Sequence, residues 1–171
     1  LILCLSMLVS LALPALGAAP TTETPKTPTA ASDFEFNART GTIKQYTGSD
    51  TDIIIPAAID GITVKALDGI FTYSEVTTVV VPSTVKVLGD YEFEGCYSMT
   101  DLYFYGVPSN LSSIAEYSDL GTFTVHCKVK DEEAFMNELD GYVTVEADIS
   151  DDLADPAYPS HNLKYTDNGD G

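Results

Sequence analysis

A chain of 171 residues with 44% hydrophobic content has room for one domain and its tails, and not for several domains. Its 26 acidic and 8 basic side chains leave a net charge of -18, and residues 1 to 22 carry no charged side chain. So large an excess argues against nucleic acid and anionic lipid as partners, because phosphate binding draws on clustered Lys and Arg. Solubility and calcium accumulation are both compatible with it.

The chain opens with "LILCLSMLVSLALPALG", residues 1 to 17, an uncharged apolar run with Ala15 and Gly17 at the small-residue positions of a cleavage site. It reads as the apolar part of a secretory signal peptide. The rival, a membrane anchor, has Pro14 inside a run already short of the roughly 20 residues a span requires. The expectation is export, with an extracellular or cell-surface location and no stable membrane insertion after cleavage. A basic leading segment and an initiating Met are missing, so the record is expected to be cut at its front. Residues 18 to 33, "AAPTTETPKTPTAASD", contain no large apolar side chain and read as a Thr/Pro-rich linker or a frayed terminus.

The domain is expected over residues 34 to 147, and its leading feature is repetition. "VKALDGIF" (64 to 71) aligns with "VKVLGDYEF" (85 to 93), and "IIIP" ending at Pro56 aligns with "VVVP" ending at Pro82. A decayed third copy at 99 to 120 keeps the apolar spacing at Met99, Leu102, Phe104, Leu111 and Ile114. Periods in the low twenties suit units of one strand and one return arm, each with an apolar edge that only stacking covers. Strand alternation turns Val76, Val79 and Val81 inward and Thr78 and Val80 outward, and Pro82 stops the strand. Val85, Leu88 and Phe93 then close the back of the core. The fold class expected is an α/β solenoid: a short, degenerate stack of parallel strands with a C-terminal helix and strand as cap. An antiparallel sandwich is the alternative.

"VTTVVVPSTVKVLGDYEFEGCYSMTDL" resembles the BspA-like leucine-rich repeat, matching it at Val81, Pro82, Val85, Leu88, Gly89, Phe93 and Cys96. The resemblance spans about residues 36 to 145, and Glu92 and bulky Tyr91 depart from the usual residues before the Phe. It implies a secreted or surface-attached bacterial protein that binds proteins, host components or polysaccharide, and is no enzyme.

Farther along, Asp131, Glu132 and Glu133 suit a helix start, Phe135, Met136 and Leu139 an apolar stripe, and Gly141 a helix stop before the strand "YVTVE". Residues 128 to 147 are therefore expected to form the cap, with a recognition role as the alternative. Residues 148 to 171 read as an acidic disordered tail that ends in part of a calcium loop, Asn168 to Gly171, without its closing acidic ligand.

Chemistry is sparse. Cys4 lies in the leader with no lipidation pattern before it; Cys96 and Cys127 suit either a disulfide or two small buried fillers. His126 and Cys127 are adjacent, so strand alternation sends them to opposite faces, and no further zinc ligands stand at a sensible spacing. No catalytic residue, metal or cofactor is assigned. The candidate ligand-binding residues are those on the outward sheet face: Ile54, Val80, Tyr103 and Thr124 stacked one per unit, with Thr78, Asp101 and Tyr105 beside them. Tyrosines there offer flat amphipathic area for a protein epitope or a sugar ring, or are present for strand propensity alone. Asn110 opens an "NLS" sequon. Two functions follow: an adhesion module held out on its linker, or a structural spacer of a larger secreted enzyme or scaffold.

Overall fold

The computed structural model describes residues 27–116 and 123–156. The leader, most of the linker and the half calcium loop lie outside the described residues.

The chain begins with an antiparallel hairpin of β1 (Phe34–Asn37) and β2 (Thr42–Tyr46). Asn37 makes its turn: its side-chain oxygen accepts the Arg39 amide and its carbonyl the Gly41 amide. Gly41 has φ +72°, and a Cβ there would lie 2.8 Å from the Thr63 carbonyl oxygen, so only glycine serves. Next come β3 (Asp52–Ile54) and a miniature hairpin of β4 (Ala58–Ile59) and β5 (Ile62–Thr63), turned by Asp60 and Gly61, both at positive φ. Then follow β6 (Ala66–Leu67), β7 (Thr78–Val81), β8 (Asp101–Phe104), α1 (Ser112–Glu116), β9 (Thr124–Lys128), α2 (Glu132–Leu139) and β10 (Thr144–Ile149).

Five of these strands form an all-parallel sheet in which each lies beside its predecessor: β3, β7, β8, β9, β10. One repeated bond sets the register at its entry. The Thr77 amide donates to the Thr51 carbonyl, Thr100 to Thr77 and Thr124 to Thr100, at 2.8–2.9 Å. On the other side of the core the return segments also run parallel. β6 pairs with β2, Val87 bridges Ala66 and Ser109, and amide-to-carbonyl bonds link Lys65 to Gly41, Lys86 to Lys65 and Ser109 to Lys86.

Between these ladders lies one continuous apolar core. From the sheet come Val79, Val81, Leu102, Phe104, Val125 and Cys127, and from the return arms Val64, Leu67, Val85, Leu88, Leu111 and Ile114, all buried. Phe71 and Phe93, the aromatics aligned in the repeat, stack at 5.9 Å between centroids, and Cys96 donates its thiol to the Phe71 carbonyl. The arms meet so closely that a Cβ at Gly89 would lie 2.8 Å from Asp68 Cα. Neither Cys96 nor Cys127 is bridged; both fill core space.

The helix start expected at Asp131, Glu132 and Glu133 is found at Glu132, although Asp131 makes no side-chain cap bond, because the helix is entered through a 3-10 turn, Val129–Asp131, that leaves Asp131 itself in a helical conformation. Two other expectations about the C-terminal part are corrected. Met136 is exposed while Phe135 and Leu139 are fully buried, since at about 100° per residue Phe135 and Leu139 point within about 40° of each other and Met136 lies at the edge of that face. The terminal strand β10 is the fifth member of the parallel sheet, and Ile149 is buried, so the folded unit passes residue 147. At the other end Thr29, within the expected linker, exchanges two bonds with edge-strand Ile54, its amide donating to the carbonyl and its hydroxyl accepting from the amide. That contact occupies backbone groups an edge strand otherwise leaves unpaired.

Glu92, the residue that departs from the repeat pattern, is fully buried, and its two carboxylate oxygens accept the amides of Gly69 and Ile70, one unit earlier, at 2.9 and 3.0 Å. Burial pushes its carboxyl up to about 7, against the lowering effect of the backbone donors. The native state therefore keeps a proton that the unfolded chain releases. This contribution is fully present below the ordinary carboxylate range and is lost as pH rises through about 7. Denaturation midpoints should fall from about pH 5 to about pH 8, and Glu92→Ala should flatten that slope while costing about 1–3 kcal/mol through the two stranded amides. Urea titrations of both proteins at several pH values check both effects.

Candidate functional site

Strand pairing fixes which side chains meet on the outward face. One row is Asp52, Thr78, Asp101, Thr124 and Thr144; the next is Ile54, Val80, Tyr103, His126 and Glu146. Tyr105 and Lys128 lie beyond the second row, with the Lys128 ammonium 5.8 Å from the Tyr105 ring centroid.

This arrangement redraws the expected face in two respects. Thr124 stands beside Asp101 rather than Tyr103, because β9 enters the sheet two residues later along the chain than the expected stacking assumed; His126 takes the place beside Tyr103. Ile54 and Val80 are 6% and 8% exposed and pack with Ala57, Tyr103 and Tyr105 into a small second cluster, so they are not open contact area. Thr78, Asp101, Tyr103, Tyr105 and Thr124 keep partial exposure. Val79, Val81, Pro82, Val85, Leu88, Phe93, Cys96, Leu102 and Phe104 are all buried behind the sheet or at its edges.

His126 is the residue sequence reasoning missed. Its ring stacks on Tyr103 at 4.2 Å between centroids and 10° between planes. Nε2 lies 3.1 Å from an Asp101 oxygen, and Nδ1 lies 2.9 Å from Asp148 and 4.0 Å from Glu146. The Thr100 hydroxyl, donating at 2.7 Å, and then His126 hold the Asp101 carboxyl below its usual range, against the opposing effect of partial burial. Asp101, Glu146 and Asp148 come from strands on either side of β9, so no local spacing in the chain announces the group. The available signal was alternation, which sends His126, Glu146 and Asp148 to one face once β9 and β10 are known to pair.

Cys127 points the other way, into the core, where burial and then nearby carboxylates push its thiol up to about 11. It is protonated at neutral pH and out of reach of His126 chemistry. The Asn110 side chain of the sequon is engaged as well, accepting from the Leu88 amide and donating to the Leu88 carbonyl of the preceding arm. An open groove of about 510 Å³ lies between the N-terminal hairpin and residues 69–76, lined by Lys44, Tyr46, Asp50, Thr72 and Glu75 among others. None of the sheet-face residues line it.

The segment after β10 doubles back toward the face. Lys128 donates to the carbonyls of Asp151 and Leu153 at 3.2 Å, the Lys130 amide donates to the Asp151 carboxylate, and the buried Asp155 carboxylate accepts the Ser83 amide at 2.7 Å. A disordered tail starting at residue 148 is thereby corrected: residues 148–156 are tied to the ends of β7 and β9.

No family model, curated protein or solved structure matches this chain.

Asp155→Ala should release that strap. Amide hydrogen exchange is expected to accelerate at Ser83 and across residues 151–155, while protection within β7, β8 and β9 stays unchanged, since the lost bond is worth about 1.5–3 kcal/mol and lies at the rim.

Proposed function

We propose that the chain is a secreted or cell-surface binding module of the BspA-like leucine-rich repeat kind, whose outward sheet face takes a protein or polysaccharide ligand. The observation that carries this reading is the in-register parallel stacking of units about one repeat apart: Val80, Tyr103 and His126 sit side by side, as do Thr78, Asp101 and Thr124. Two parallel ladders around a shared core are what stacked strand-and-arm units produce. A degenerate repeat array therefore accounts for both the sheet and the returning segments better than an antiparallel sandwich does.

On this reading Tyr103 and Tyr105 are the centre of the contact surface. Tyr103 is held rigid by the stacked imidazole and Tyr105 by Lys128, so binding costs little side-chain entropy. Thr78, Asp101 and Thr124 supply a polar row alongside, with hydroxyl and carboxylate groups suited to backbone amides or sugar hydroxyls. The acidic surface favours neutral or basic partners over phosphate-rich ones.

The test is to immobilise the full chain and screen extracellular protein extracts and a polysaccharide panel at physiological salt. A saturable ligand is expected, and Tyr103→Ala with Tyr105→Ala should weaken it at least about tenfold, the loss typical of central aromatic anchors, with unchanged circular dichroism. Binding that is indifferent to both substitutions would remove the sheet face from the reading, and the absence of any ligand for the folded chain would favour the spacer role.

A further inference from the structure

We propose that His126, Glu146 and Asp148 form a site for a first-row divalent metal ion of the zinc type. The Nδ1 atom of His126 and one oxygen from each carboxylate all lie within 4.8 Å of one another. In a tetrahedral shell with bonds of about 2.1 Å, neighbouring ligand atoms stand roughly 3.4 Å apart. The 2.9 Å and 4.0 Å separations from Nδ1 to Asp148 and Glu146 bracket that spacing, so small side-chain rotations bring the three protein ligands into place.

Two independent features show a built site and not a chance meeting of acids. The first is the backing of the imidazole. Asp101, itself held by Thr100, lies 3.1 Å from Nε2 and keeps that nitrogen engaged, so that Nδ1, in contact with Asp148 at 2.9 Å, is the nitrogen a metal ion would take in place of that hydrogen bond. A carboxylate behind a ligating histidine is the usual outer-shell device for fixing tautomer and ring orientation. The ring, with 8% of its side chain exposed and stacked on Tyr103, has its orientation fixed. The second feature is a bulge. β10 pairs regularly with β9 from Thr144 to Glu146, then slips so that Ile149, not Asp148, stands opposite Lys128. A regular strand would place Asp148 against that lysine; the slip brings it to His126 instead. Bulges commonly re-aim a side chain in this way.

Charge points in the same direction. Three carboxylates surround one imidazole, and Lys128, the basic residue of the same strand, is spent on the carbonyls of Asp151 and Leu153. One nitrogen and two oxygens suit zinc, or manganese and nickel behind it, in preference to calcium, which takes oxygen ligands throughout. Glu146 and Asp148 are 55% and 50% exposed, so the remaining coordination positions open to solvent beside Tyr103. The site stands independently of what the sheet face binds.

Zinc titration of the full, chelator-treated chain by calorimetry at neutral pH, with thermal unfolding in parallel, tests this. One equivalent should bind, raise the unfolding temperature and be reversed by chelator, and excess calcium should not displace it. Glu146→Gln and Asp148→Asn, at half-exposed positions that leave the fold intact, should each weaken binding about tenfold or more, and Asp101→Asn about 10–100-fold without changing the stoichiometry. His161→Ala, the control for the other histidine, should change nothing. Absence of saturable zinc binding, unchanged affinity in the Glu146 and Asp148 variants, or displacement by calcium would overturn the proposal and leave His126 as a structural clamp between its carboxylates.

Discussion

The bond from the amide of one threonine to the carbonyl of the previous one, Thr77 to Thr51, Thr100 to Thr77, Thr124 to Thr100, is the constraint on which the rest of this structure depends. It sits at the entry to β7, β8 and β9 and sets the register with which each of them joins the sheet. A slip of one residue would turn Val79, Leu102 and Val125 to solvent and bring Val80, Tyr103 and His126 into the core. With the register fixed, the same residues are sorted cleanly, an aliphatic layer on one side and a row of aromatic, imidazole and carboxylate groups on the other.

The return arms answer the same need by different means. Their parallel contacts are sparse, single bridges at Val87 and short pairings at β6, so side chains supplement the backbone. Glu92 holds two amides of the preceding arm, and Asn110 holds both backbone groups of Leu88. Both polar side chains thus replace ladder bonds where the ladder is incomplete. Glu92 carries a desolvation cost for that service, visible in its raised affinity for a proton. The sheet's own ends are finished differently: Thr29 pairs with edge strand β3, while α2 packs Phe135 against Phe104 beneath the last strands.

The outward face grades from apolar to charged along the stack. Ile54 and Val80 are sheltered under the tyrosines; Tyr103 and Tyr105 are half-buried; His126, Glu146 and Asp148 carry the titratable groups at the far end. The strap from Asp151 to Asp155 runs back from that end to Ser83, so the polar rim is built partly from chain beyond the last strand. Recognition by tyrosine and coordination by carboxylate and imidazole would occupy neighbouring but separable parts of one surface.

The sequence by itself determined the repeat and the inward set, because a period in the low twenties and alternation within "VTTVVVP" are local patterns that any sheet must respect. It placed Phe71 with Phe93, sent His126 and Cys127 to opposite faces and foresaw a helix near residue 135. It misplaced what depends on distance across the chain, setting Thr124 beside Tyr103 and ending the folded unit at residue 147, and it was silent on which carboxylates meet His126. Those were decided by the register of β9 against β8 and by the bulge in β10, and a one-residue difference in pairing leaves no trace in composition or spacing. Only the tertiary structure brings Asp101 from one neighbouring strand and Asp148 from the other onto the two nitrogens of a single ring.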